Sequence, residues 1–263
     1  MLKTFQISIL FAFSVLIMSC GTEPKETKIL SEEEQKGQEL LDKTIAAHGG
    51  LERWNSFEGL SYNLLNSGKS LYQITQLKDR RTYTKAEDFE LGFDGKTAWV
   101  LPDAENVPGK SAAFYYNLDF YFVAIPFVLK DEGVNAFYEG LTTINEKEYE
   151  TLKITFGTEV GFTPEDVYYL YIDPATSMLE ILVYSVSFFD KESASLNSAK
   201  VYSEWQEVEG IKMPGKMQNF KWLDGEIGED TKHDRVFSDY KFLKEIQDKQ
   251  LFEVPEGAVT EAI

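Results

Sequence analysis

The sequence predicts a mainly β fold, a curved antiparallel sheet flanked by a few helices. Three observations predict it. From Gly59 onward, short runs rich in β-branched and aromatic residues alternate with turn signals. The links between those runs are mostly too short for the crossover helices that parallel strands require. Helical periodicity is confined to a stretch beginning near residue 32 and to an apolar segment at 112–130.

The chain opens with Lys3 and then an apolar run from Ile7 to Met18. That run is long enough for the h-region of a secretory signal and short for a membrane-spanning helix. It ends Ile17-Met18-Ser19-Cys20-Gly21, which resembles the bacterial lipobox, where a small residue precedes a cysteine whose thiol receives a diacylglyceryl group. Residues 1–19 are therefore read as a lipoprotein signal, and Cys20 as the lipidated first residue of the mature chain. Two or three acyl chains on one residue give stable anchoring where one does not. Residues 20–31 are polar and contain Pro24, as expected of a flexible tether. Residues 32–263 are expected to form one domain, since β-rich folds of this length often have a single core.

Ser31-Glu32-Glu33-Glu34 has the form of a capping box. The helix it starts should carry Leu40, Leu41, Thr44, Ile45 and Ala47 along one face and end at Gly49-Gly50, where glycine accepts the left-handed conformation. Leu51, Trp54 and Phe57 recur at helical spacing and predict one more apolar turn. Strands are expected at Leu60–Asn66, Leu71–Leu77, Arg81–Lys85, Phe89–Phe93 and Thr97–Leu101, the last two joined by an Asp94-Gly95 hairpin turn. Later strands are expected at Val134–Tyr138, Tyr149–Phe156, Val167–Ile172, Leu179–Phe188, Lys200–Gln206, Lys216–Trp222 and Arg235–Phe242. Asp173-Pro174, Glu209-Gly210 and Asp224-Gly225 supply turns among them. Between Ala112 and Lys130 the chain is apolar nearly all round. Pro126 should divide it into a helix and a short following turn that plug or flank the sheet.

The net charge of −18 opposes binding to nucleic acid. Cys20 is the sole cysteine, so neither an internal disulfide nor a cysteine zinc site is possible. His48 falls at a helix end, where histidine commonly meets free carbonyls, and His233 lies in a charged stretch; both read as structural or surface residues. No Gly-x-Ser-x-Gly elbow is present. The run Ala104 to Ser111 resembles a phosphate loop only superficially, since Ala104 stands where glycine belongs and Pro108 removes a donor. With 44 acidic residues, no carboxylate pair can be singled out for glycoside chemistry. No metal or cofactor is implied.

Aromatic residues make up 14% of the chain, enough to line a cavity as well as fill a core. Trp54, Trp99, Phe114, Tyr116, Phe120, Phe122, Tyr169, Trp205 and Trp222 are the candidate lining of an apolar cavity between sheet and helices.

The lipobox, tether and helix ending Ala-His-Gly-Gly-Leu-Glu-Arg-Trp are followed by Phe-Asp-Gly-Lys-Thr-Ala-Trp at 93–99 and Ile-Pro-Phe-Val-Leu-Lys-Asp-Glu-Gly-Val at 125–134. Tyr-Leu-Tyr-Ile-Asp-Pro-Ala-Thr at 169–176 and Val-Glu-Gly-Ile-Lys-Met-Pro at 208–214 come next. Together they resemble a family of uncharacterised lipoproteins from Bacteroidota, which carries over no catalytic residue. More distantly, the layout is similar to the LolA/LolB lipoprotein-carrier superfamily. That resemblance implies a half-open β-barrel covered by helices, with an apolar interior that accepts acyl chains.

The leading expectation is thus a lipoprotein anchored through its N-terminal acyl chains in the cell envelope, at the outer membrane, binding a lipid or other hydrophobic ligand. A cell-envelope hydrolase would need a cleft of carboxylates or histidine with shifted pKa values. An outer-membrane scaffold would show an exposed apolar patch or an open strand edge.

Overall fold

The computed structural model describes residues 30–66, 68–157, 163–188 and 195–263. Helix α1 (Glu32–Ala47) starts as its sequence dictates: the Ser31 hydroxyl accepts from the Glu34 amide, and the Glu34 carboxylate accepts from the Ser31 amide. Leu40, Leu41, Thr44 and Ile45 are buried, and His48 forms the C-cap before Gly49 and Gly50 turn the chain with φ of 119° and 89°. The short α2 (Leu51–Asn55) follows and buries Trp54.

A meander comes next: β1 (Gly59–Asn66), β2 (Lys69–Gln76), β3 (Thr82–Lys85), β4 (Glu90–Phe93) and β5 (Thr97–Leu101). The apolar segment then forms α3 (Ala112–Tyr115), α4 (Leu118–Ala124) and a 3-10 turn at Phe127–Lys130. Asp119 excepted, α4 buries only apolar side chains; it ends before Pro126, which has no amide to continue the helix.

A second meander holds β6 (Val134–Ile144), β7 (Lys147–Phe156), β8 (Val167–Ile172), β9 (Leu179–Tyr184) and β10 (Ser198–Ser203). It ends with β11 (Gln206–Val208), β12 (Ile211–Met213), β13 (Lys216–Trp222), β14 (Ile227–Asp230), β15 (Arg235–Leu243) and β16 (Val259–Ala262).

Among the described residues, fourteen strands form one sheet with every pairing antiparallel, in the order β16-β5-β4-β3-β2-β1-β15-β13-β10-β9-β8-β7-β6, and β14 beside β13. The two meanders join where β1 pairs with β15, Leu60 opposite Phe242 and Asn66 opposite Arg235. The sheet is open, with β16 and β6 at its ends. α1 lies against β6, where Gly37 permits the approach: a Cβ there would stand 2.4 Å from the carbonyl oxygen of Ala136.

The helices and the inward side chains of both meanders make the main core. Strand alternation sends the rest to the opposite face. Leu170 and Ile172 of β8 join the main core, while Tyr169 and Tyr171 join Ile181, Val183 and Trp222 on the other side. Likewise Ala98 and Val100 point inward, and Trp99 packs outward with Tyr83, Ile246 and Phe252.

The expected strands are all present, with shifted ends. β6 continues six residues past Tyr138, through an irregularity at Gly140, whose φ is 92°. β9 stops at Tyr184: the Ser185 amide still bonds the Val167 carbonyl, but the Val167 amide turns to the Ser185 hydroxyl and the Ser187 amide to Asp166. The expected strand at 200–206 breaks at Glu204, which has φ of 56°. β12, β14 and β16 were not anticipated, being short or poor in apolar residues.

Candidate functional site

Ser111 sits at the start of α3, and its hydroxyl accepts from the Phe114 amide. The Glu261 carboxylate, on β16, accepts from the Ser111 hydroxyl and the Ala113 amide. The far end of the chain thus ties α3 to the sheet edge.

Between α3–α4 and strands β7–β9 lies a cavity of about 460 Å³, within the range of pockets that hold small ligands. Phe114, Tyr116, Leu118, Tyr121 and Phe122 line it from the helical side, and Phe156, Tyr168, Tyr184 and Phe188 from the sheet side. The rings pack mainly at steep angles. Tyr168 meets Tyr121, Phe156 and Tyr184 edge to face at centroid distances of 6.2, 5.1 and 6.0 Å, and Phe122 meets Tyr184 at 4.9 Å. Burial raises the pKa of the Tyr116 phenol to about 12 and those of Tyr121, Tyr168 and Tyr184 upward as well, so these phenols are neutral at physiological pH.

Asn117, Thr163 and Asp166 are the other polar residues in this wall. Asp166 is buried, and its Oδ1 accepts from the Ser185 hydroxyl at 3.2 Å and the Ser187 amide at 2.8 Å.

A layer of buried ionisable groups lies behind the rings. Lys200 is 1% exposed; its Nζ donates to Asn219 Oδ1 at 2.8 Å and stands over the rings of Phe122 and Tyr184 at 4.4 and 5.3 Å. Burial, and then the charge of Arg235, lower its pKa well below the ordinary lysine value. Arg235 Nε donates to Asp119 Oδ1 at 2.5 Å, with both side chains buried. Burial alone would lower the pKa of that guanidinium; the Asp119 charge and hydrogen bond together with the Tyr115 and Tyr184 phenols outweigh it and raise the pKa above the ordinary arginine value. Because Asp119 lies in α4 and Arg235 begins β15, the pair fastens the helical wall of the cavity to the middle of the sheet.

A second recess of about 370 Å³ lies beside α2, lined by Trp54, Phe57, Leu77, Arg80, Phe127 and Asp131 among others. Trp54 stacks on Phe127 at 4.4 Å, and Arg80 Nη2 bonds Asp131 at 2.5 Å.

Of the nine aromatic candidates, Phe114, Tyr116 and Phe122 come together at the larger cavity, and Trp54 lines the smaller recess. The others line neither. Phe120 is fully buried in the core beneath the Arg80 guanidinium. Trp205 packs on His48 and Tyr202. Trp99, Tyr169 and Trp222 fall on the opposite sheet face, where the two-residue period of their strands directs them. Cys20 lies outside the described residues. Tyr121, Phe156, Tyr168, Tyr184, Asn117 and Asp166 belong to the site and were not singled out from sequence. For Tyr168 a usable signal existed, because it shares the parity of Leu170 and Ile172.

His48 is fully buried; its Nδ1 lies 2.7 Å from the Thr44 carbonyl, so Nδ1 carries the hydrogen and Nε2 is left without a partner. Burial lowers its pKa to about 4. Among the described residues, no three His, Cys, Asp or Glu side chains converge as a metal site, and no helix is long and apolar enough to cross a membrane.

Residues 106–209 match the model of a family of unknown function, DUF6503. A comparison with curated proteins finds no match. Among solved structures, a domain from Vibrio parahaemolyticus described as an outer membrane lipoprotein-sorting protein is 10% identical with a TM-score of 0.50, covering 83% of this chain and 97% of that one. A LolA superfamily protein from Nitrosomonas europaea is 12% identical with a TM-score of 0.49, covering 82% and 96%. A DUF1329 family protein from Desulfovibrio piger is 12% identical with a TM-score of 0.49, covering 85% and 98%. At such identities the likeness is one of fold, shared with the Vibrio domain over most of both chains.

Proposed function

We propose that the protein is an envelope lipoprotein, anchored through Cys20, that shelters an acyl chain or similar apolar ligand in the cavity between α3–α4 and β7–β9. The ring-lined cavity of about 460 Å³ carries this reading. Its wall is mostly carbon, and its phenols are neutral. The fold shared with the Vibrio parahaemolyticus lipoprotein-sorting domain supports a carrier role at the outer membrane. The single domain from residue 32 to 263, the signal at 1–19 and the tether at 20–31 are part of the same proposal.

Each methylene taken from water into such a wall contributes about 0.8 kcal/mol. Affinity should therefore climb with acyl length until the cavity is full. Native mass spectrometry of the chain from residue 21 onward, given a series of alkyl ligands, should show a one-to-one adduct that strengthens with length. A protein that carries no lipid from the cell and takes up none of the series would refute the binding role. Replacing Cys20 with serine in the full chain should abolish palmitate labelling; persistent labelling would refute the anchor.

A further inference from the structure

We infer that the recess beside α2 is a second binding site, one that takes a phosphate-type oxyanion. It is separate from the larger cavity and does not depend on what that cavity holds. In a chain of net charge −18, three cations line this recess, Lys78, Arg80 and Lys130; Asp131 is the one carboxylate among the described residues of its wall. All three cations reach solvent. Lys78 is exposed, and the side chains of Arg80 and Lys130 are 20% and 27% exposed. Lys78 and Arg80 belong to the turn between β2 and β3, and Lys130 ends the 3-10 turn after α4. The fold therefore assembles the cluster from two distant parts of the chain.

Two of the cations are held by carboxylates: Lys130 Nζ by Asp42 of α1 at 2.6 Å, and Arg80 Nη2 by Asp131 at 2.5 Å. Lys78 is not. Asp79, next to it in sequence, pairs with Arg81 Nε at 3.2 Å, and Lys78 makes no hydrogen bond or ion pair. Arg80 is positioned before any ligand arrives. Its backbone takes φ of 63°, its Nη1 donates to the Leu77 carbonyl, and its guanidinium lies over the Phe120 ring at 5.5 Å. These contacts use one hydrogen on each Nη; a guanidinium carries five, so donors remain for an added oxyanion. Asp131, 48% exposed, can turn aside to water as the anion enters. Beneath the charges, Trp54 stacked on Phe127, with Phe57 and Leu77, makes a floor of low polarity. In a concave site with such walls a charge interaction is stronger than on a flat surface. A phosphate suits the set better than a carboxylate, because its oxygens can meet one guanidinium and two ammonium groups together.

The test is titration calorimetry of the full chain with inorganic phosphate, at pH 8 and low salt, in dodecyl maltoside, an uncharged detergent. Phosphate should bind at one site. Lys78→Glu changes an exposed residue that bonds nothing, and should weaken binding by about tenfold; Arg80→Gln should do the same. Asp131→Asn, which removes the competing acceptor, should tighten it by about threefold. Lys232→Glu makes the same charge change on the turn between β14 and β15, and should alter affinity by less than about twofold. Absence of phosphate binding in the wild type would overturn the inference, as would unchanged affinity in Lys78→Glu. Equal weakening by Lys78→Glu and Lys232→Glu would overturn it too, by showing general charge attraction and no site. Glycerol phosphate and phosphatidate, the latter in the same micelles, distinguish the source of the anion. Tighter binding of phosphatidate supports the site as one for a lipid head group, and tighter binding of glycerol phosphate supports it as one for a soluble ester. None of these measurements probes the larger cavity, so either reading can fail while the other stands.

Discussion

Replacing Asp119 with alanine should cost about 3–5 kcal/mol of folding stability. Asp119 Oδ1 and Arg235 Nε are 2.5 Å apart, and the two side chains are only 8% and 9% exposed, so solvent screens the pair little. Removing the carboxylate leaves a buried guanidinium with no counter-charge, near the buried Lys200 amine, whose pKa Arg235 already lowers. A domain of this kind is stable by roughly 5–15 kcal/mol, so the single change consumes a large share. Converting both partners, Asp119→Leu with Arg235→Met, removes the uncompensated charge and should recover most of the loss. The measurement is urea unfolding followed by tryptophan fluorescence for wild type, each single variant and the double variant. The two single variants should be far less stable than the double. A loss under about 1 kcal/mol for Asp119→Ala, or a double variant as weak as the singles, would refute the claim that this pair holds α4 to the sheet.

Three further outcomes follow from the same geometry. His48 has a folded pKa of about 4 against 6.5 for an ordinary histidine, so its contribution is whole above pH 6.5 and is lost as pH falls toward 4. Between those limits wild type should lose about 3 kcal/mol more than His48→Phe, and parallel pH profiles would contradict the burial argument. Gly37→Leu should destabilise by about 3 kcal/mol or undock α1, seen as loss of amide-exchange protection over residues 32–47, because its Cβ falls 2.4 Å from the Ala136 carbonyl oxygen. Leu118→Trp, which fills the larger cavity from α4, should weaken alkyl-ligand binding by about tenfold with little change in Tm; undiminished binding would place the ligand elsewhere.

Much of the fold was legible because its signals are local. The Ser31–Glu34 capping box, the Gly49-Gly50 stop, the Asp94-Gly95 turn and the break before Pro126 each act within a few residues. Strand ends were less legible: Gly140 lets β6 bend and continue, and Glu204 interrupts a run that reads as continuous. The set of residues that lines the larger cavity was poorly legible. Aromatics were chosen for size, while membership depends on which face of a strand they occupy; Tyr169 and Tyr168 are neighbours in sequence and lie on opposite sides of the sheet. The polar members were beyond sequence reasoning, since nothing local distinguishes Asn117, Asp166 or Lys200 from the other polar residues of so acidic a chain.

The pairing of β1 with β15 has a kinetic consequence. Residues 59–66 find one of their two neighbours at 235–243, and β5 finds an edge partner only at 259–262. The first meander therefore waits for nearly the whole chain before its sheet is complete. Contacts of such long sequence separation make folding slow. For a polypeptide that crosses a membrane as an extended thread, as the proposed signal at 1–19 requires, that delay is an advantage: the chain remains threadable until its last strands have emerged.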